Sequence, residues 1–101
     1  MINKFILLLS LLFSVTLSGQ TKSVLFIGNS YTGANNLPQL TRDVALSVGD
    51  TLIFDAHTPG GAQIQQHSNS KAAIQKIFSK SWDHVVLQAQ SQEPSFSQNQ
   101  V

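Results

Sequence analysis

The 101-residue chain contains no cysteine. That excludes disulfides and thiolate metal sites, so its core must hold without covalent staples. Charge is scarce as well: 11% of residues are Asp, Glu, Lys or Arg, six of them basic and five acidic. So even a balance gives no electrostatic ground for a nucleic-acid partner or an anionic membrane surface. At 101 residues the chain is one domain at most, and internal repeats and linkers are missing. The three histidines, His57, His67 and His84, stand in no ligand-like spacing with one another or with acidic residues. No metal and no other cofactor is expected.

Also lacking is an apolar run long enough to cross a bilayer. The apolar segment Phe5–Leu12 in MINKFILLLSLLFSVTLSGQ is interrupted by Ser10 and falls well short of the ~20 residues a spanning helix needs. Lys4 stands ahead of it, and the small or hydroxyl residues Ser14, Thr16, Ser18 and Gly19 follow. This three-part layout is that of a secretory signal peptide cleaved between Ser18 and Gln20. Residues 1–20 are read as that leader, and the mature protein as secreted or periplasmic with no stable membrane anchor. Because no cysteine follows the apolar segment, a bacterial lipid anchor is excluded.

What is present reads as alternating strands and helices. Ser23–Ile27 (SVLFI) is a short continuous apolar run stopped by Gly28, as suits a strand buried on both faces. Asn35 and Asn36 precede Leu37-Pro38, a helix start, and Leu37, Leu40, Val44 and Val48 recur at helical spacing before Gly49. Thr51–Ala56 is a second strand, and HTPGGA a loop broken by Pro59-Gly60-Gly61. A second helix runs from about Gln63 or Ser70 to Ser79, with Ile64, Ala73, Ile74, Ile77 and Phe78 as its apolar face. Trp82, read as core, and Asp83 lead into a third strand, His84–Gln88, and the tail SQEPSFSQNQV is polar and aperiodic. The order predicts an α/β fold, a three-layer α/β/α arrangement on a parallel sheet with right-handed crossovers. Only the first β-α-β-α-β portion is expected, with the last strand leaving an open edge.

In open α/β sheets ligands bind beyond the carboxyl ends of the strands. Three loops leave that edge, Gly28–Gly33, His57–Gln63 and Gln88–Phe96, and all are polar or glycine-rich. Ser30 lies just past the first strand, where a hydroxyl held by a rigid sheet can attack an acyl carbonyl with backbone N–H groups receiving the oxyanion. A serine that only turns the chain or caps a helix reads equally well from position alone. His57 and His84 read as structural or solvent-facing, and Tyr31 and Thr32 as turn packing or pocket lining.

Three blocks then carry a resemblance. GNSYT after VLFI, TPGGAQIQQH over Thr58–His67 and WDHVVLQAQSQEP over Trp82–Pro94 resemble the successive blocks of the SGNH (GDSL-like) hydrolase superfamily, in a secreted bacterial branch with an LQ-x-Q-S block. The resemblance implies a flavodoxin-like α/β/α domain, of which residues 21–101 would be a truncated N-terminal part. It implies Ser30 as nucleophile and oxyanion donor, Gly60 or Gly61 as second donor, and Gln88 or Gln90 in place of the superfamily's asparagine. Asn29, Tyr31 and His67 are implied as substrate-contacting. The superfamily's Asp-x-x-His block, which supplies the base, does not occur in the chain.

The expectation is a serine esterase forming an acyl-enzyme on Ser30, acting on a small-molecule or carbohydrate ester such as an O-acetyl group. This chain alone is expected to be inactive. The alternative is a non-catalytic secreted carbohydrate- or ligand-binding module of the same fold. A phosphate-binding reading is set aside because the first loop lacks lysine and the glycine spacing it needs.

Overall fold

The structure, a computed structural model, describes residues 19–100. The leader predicted over residues 1–20 therefore lies, but for Gly19 and Gln20, outside the described residues. Gln20 already belongs to the fold: its N–H donates to Asp50 Oδ1 at 2.9 Å and its carbonyl accepts from Thr51 N–H at 2.7 Å.

The elements run β1 (Thr21–Ile27), α1 (Ser30–Gly33), α2 (Leu37–Ser47), β2 (Thr51–His57), α3 (Ile64–Ser68), α4 (Lys71–Phe78) and β3 (His84–Leu87), then 3-10 turns over Glu93–Ser95 and Gln98–Gln100. The three strands form a parallel sheet in the order β2-β1-β3. This is the expected α/β fold. β1 pairs with β2 from Thr21↔Thr51 to Ile27↔His57, and with β3 from Val24↔His84 to Ile27↔Leu87. The start of β3 is fixed by a reciprocal pair: Ser23 N–H donates to Asp83 Oδ2 at 2.8 Å, and Asp83 N–H to Ser23 Oγ at 3.0 Å.

The two crossovers leave β1 and β2 in opposite directions, so right-handedness places α2 and α4 on opposite faces. Alternation along β1 agrees. Leu25 and Ile27 pack on Ala73 of α4 with Trp82 beside them, while Phe26 turns the other way and meets Phe54 edge-to-face at 6.3 Å. The Trp82 indole N–H donates to Lys76 O at 2.9 Å, and Lys80 Nζ stands 4.6 Å from the ring centroid. Across β2 and α4, Lys76 Nζ reaches both Asp55 oxygens at 2.8 Å. That hydrogen bond holds the Asp55 carboxyl below its ordinary range. Both side chains remain partly in water, which limits the pair's contribution to stability to under about 1 kcal/mol.

Several expectations are corrected. Of the strands, only the central β1 is buried from Val24 to Ile27; in β3, Val85, Val86 and Leu87 stay 41–59% exposed because the strand pairs on one side alone. The apolar stripe Leu37, Leu40, Val44 and Val48 of α2 is exposed. The helix instead turns Pro38, Thr41 and Ala45 inward, small residues that let it approach the edge strand β2. The single second helix is two, split at Asn69-Ser70, where the Ser70 hydroxyl caps α4 by accepting from Ala73 N–H at 3.2 Å. The aperiodic tail contains 3-10 turns and a buried carboxylate, Glu93.

Candidate functional site

With the three strands parallel and β1 between β2 and β3, their carboxyl ends lie on one edge of the sheet, the edge at which open α/β sheets bind ligands. The turn after β1 begins in the ladder, Gly28 N–H donating to His57 O at 3.0 Å. Asn29 is extended and caps the single turn α1: its Oδ1 accepts from Tyr31 N–H at 3.1 Å, and its carbonyl from Thr32 and Gly33 N–H, both at 3.1 Å. Ser30 is thus the first residue of a helical turn projecting from the central strand. Its side chain is exposed, and among the described residues no hydrogen bond engages its hydroxyl.

Everything behind Ser30 is tied down. Asn29 is 1% exposed, and its Nδ2 donates to Ala62 O at 3.1 Å, joining the Ser30 turn to the glycine turn. Gln88 Oε1 accepts from Asn29 N–H at 3.0 Å and from Thr32 Oγ1 at 2.9 Å, while Gln88 Nε2 donates to Ala89 O. Glu93, 5% exposed, accepts on Oε1 from Ile64 N–H at 3.0 Å and Gln90 N–H at 2.9 Å, tying the third loop to the start of α3. The first loop is thus bonded to both of the others, and the third is tied to the helix residue directly after the second.

Replacing Glu93 by Ala strips two N–H groups of a charged acceptor. We expect a loss of about 2 kcal/mol in urea denaturation, most of it restored in Glu93→Gln, which keeps an acceptor oxygen. Equal losses in the two variants would contradict the assignment.

In the second loop, Ala62 N–H donates to Pro59 O at 3.2 Å and closes a turn over Gly60 and Gly61, with Gly61 at φ +67°. Positive φ at that third position is the type II requirement that glycine meets without strain. Both glycines are exposed, and among the described residues neither N–H is hydrogen-bonded. Tyr31, 70% exposed, lies on the open side of α1.

Beyond the glycine turn, His57 and His67 meet edge-to-face at 5.6 Å in a cleft of about 230 Å³ lined also by Gly60, Ala62, Gln66 and Ser70. Partial burial, reinforced by His67 and Lys76 and opposed by Asp55, lowers the His57 pKa below 6.5. The folded chain then binds fewer protons than the unfolded one near that pH, so stability rises with pH through the window. His57's contribution is complete above about pH 6.5 and lost as pH falls toward the folded value. Urea midpoints measured from pH 5 to 7.5 should climb in the wild type more steeply than in His57→Gln; parallel profiles would contradict this.

No family model, curated protein or solved structure matches the chain. The site therefore rests on its own geometry. Ser30, the two glycines and Tyr31 sit exposed in the turns at this edge. The other two residues expected to contact substrate, Asn29 and His67, are both buried. Asn29 is buried with its side chain committed on both sides, and His67 is 6% exposed with Nε2 buried and unpartnered. His84 opens β3 at the other end of the strand from the loops. The two glutamines part company: Gln88 has its oxygen doubly occupied, whereas Gln90 uses its oxygen on Gln92 N–H at 2.7 Å and keeps its NH₂ free of partners among the described residues. Sequence reasoning missed Glu93, hidden in a polar tail, and took Thr32 for packing when its hydroxyl braces the turn. Among the described residues no cluster of three or more His, Cys, Asp or Glu could hold a metal ion, and no helix is long and apolar enough to cross a membrane.

Proposed function

We propose that the protein is a secreted serine hydrolase of the SGNH type that cleaves small esters, carbohydrate O-acetyl groups foremost, through an acyl-enzyme on Ser30. The observation that carries this reading is the contrast at the nucleophile turn: Ser30 presents a free hydroxyl while Asn29, Thr32 and Gly28 around it are locked. A nucleophile needs this combination, since attack within a fixed geometry removes the entropy of finding it.

Ser30 Oγ adds to the ester carbonyl as a base takes its proton. The N–H of Ser30 and one from Gly60 or Gly61 receive the oxyanion, and Gln90 is the better placed of the two glutamines to add a third donor. The alcohol leaves with the proton, and water then hydrolyses the acyl group from Ser30. Among the described residues no histidine bonds to Ser30, and His57 and His67 engage one another. The reading requires a histidine with its orienting carboxylate to be brought to Ser30.

The test is covalent capture. The product of the whole reading frame is treated with a fluorophosphonate and the modified residue located by mass spectrometry, with Ser30→Ala as control. A single adduct on Ser30, absent from the control, supports the hydrolase. No adduct, or one indifferent to Ser30, leaves the non-catalytic binding module.

A further inference from the structure

We infer that Gln88 is a positioning residue, holding the segment that carries Ser30 in its attacking geometry without touching the substrate; this rests on the hydrolase reading above. Gln88 is the first residue after β3. Its N–H donates to Ile27 O at 2.9 Å, which fixes its Cα in the ladder beside Gly28. From there the side chain folds back under the turn. Its Oε1 accepts from the backbone N–H of the residue before Ser30 and from the hydroxyl of the residue two after it. One oxygen thus grips the nucleophile segment on both flanks.

The direction of the carboxamide is set as well. Nε2 is turned away to Ala89 O, so the oxygen faces the turn and the NH₂ is withdrawn from the place an oxyanion would occupy. Gly28 makes the arrangement possible: a Cβ there would stand 2.7 Å from Gln88 Oε1 and 2.8 Å from Thr32 Oγ1. The peptide that Gln88 holds precedes Asn29, and the following peptide carries the Ser30 N–H, so slack at residue 88 becomes misalignment of both the nucleophile and its own oxyanion donor. Catalytic geometry is sensitive to such shifts well below the scale of unfolding. The third loop, which also presents Gln90, is thereby coupled mechanically to Ser30.

What position 88 must supply is an acceptor. Gln88→Met keeps the length and removes it; Gln88→Glu retains it. In the whole-frame protein we expect Gln88→Met to lower amide-exchange protection at Asn29 and the maximal rate of fluorophosphonate capture at Ser30 each by about tenfold. The inhibitor's half-saturation concentration and protection at Val24–Ile27 should stay at wild-type values. Gln88→Glu, which keeps the acceptor but gives up the bond to Ala89 O, should recover part of both losses. Wild-type capture rates in Gln88→Met would overturn the proposal, as would a change confined to half-saturation. If Gln88→Met unfolds, Thr32→Val and Thr32→Ser carry the test: the first should slow capture and the second restore it, and equal rates would overturn the proposal. If the wild type is never labelled but Asn29 loses protection in Gln88→Met, the hydrolase reading fails and Gln88 is only a structural brace.

Discussion

Asn29→Asp should destabilise the folded chain by about 3 kcal/mol at pH 7, although the two side chains have nearly the same shape. Asn29 is 1% exposed and uses both ends of its carboxamide: Oδ1 accepts from Tyr31 N–H and Nδ2 donates to Ala62 O. A carboxylate keeps the first bond, so the α1 cap survives. It cannot make the second, and instead sets a buried negative oxygen against a carbonyl. The substitution therefore tests the tie between the Ser30 turn and the glycine turn. Burial should raise the pKa of the new carboxyl, so the folded variant holds its proton at pH values where the unfolded one has lost it. Relative to wild type, the variant must then lose stability as pH rises above about 4, until the folded-state pKa is passed. Protonated, the new side chain regains a donor for Ala62 O, and the deficit shrinks. Paired urea melts at pH 4.5 and 7.5 measure the effect; a deficit under about 1 kcal/mol, or one equal at both pH values, would break the argument.

The sheet was legible in the sequence because Val24–Ile27 of β1 is apolar without interruption and Gly28, Gly49 and Pro59-Gly60-Gly61 punctuate what surrounds it. The orientation of α2 was not. Helical spacing finds the Leu/Val stripe, but which stripe meets a sheet depends on what the neighbouring strand admits. At the edge strand β2 small residues, Thr41 and Ala45, make the closer approach. α1 escaped notice because a single turn has no periodicity to detect and depends on one capping contact from Asn29. At the edge, position in the chain placed Ser30 and the glycine doublet in exposed turns, since each follows directly from where a strand ends. It could not divide labour among the amides. Asn29, Gln88 and Gln90 are chemically alike, and only partners 33, 59 and 2 residues away in sequence separate the two that brace from the one with a free NH₂. Glu93 was illegible for the same reason: its partners Ile64 and Gln90 give it a function that its sequence surroundings do not suggest.

Gly28→Ala should cost about 2–3 kcal/mol, and the cost should depend on Gln88. The φ at Gly28 is not in the left-handed region, so backbone strain plays no part. The added methyl would meet Gln88 Oε1 at 2.7 Å, Thr32 Oγ1 at 2.8 Å and Gln88 Cβ at 3.2 Å. The amide oxygen can swing aside, but doing so leaves Asn29 N–H and the Thr32 hydroxyl without their acceptor. Gln88 Cβ has less freedom, because the Gln88 N–H is anchored to Ile27 O. The penalty is therefore the loss of the brace more than a general overpacking of the turn. A double-mutant cycle separates the two. In a Gln88→Ala background the oxygen is already gone and the Thr32 hydroxyl, no longer held by it, can rotate aside, leaving the 3.2 Å approach to the residue 88 Cβ, so Gly28→Ala should cost less there, a coupling of at least about 1 kcal/mol. Urea midpoints of the four proteins give the coupling directly. Additive losses would mean that Gly28 is required by something other than the close approach of Gln88, and that the brace does not set the shape of the turn.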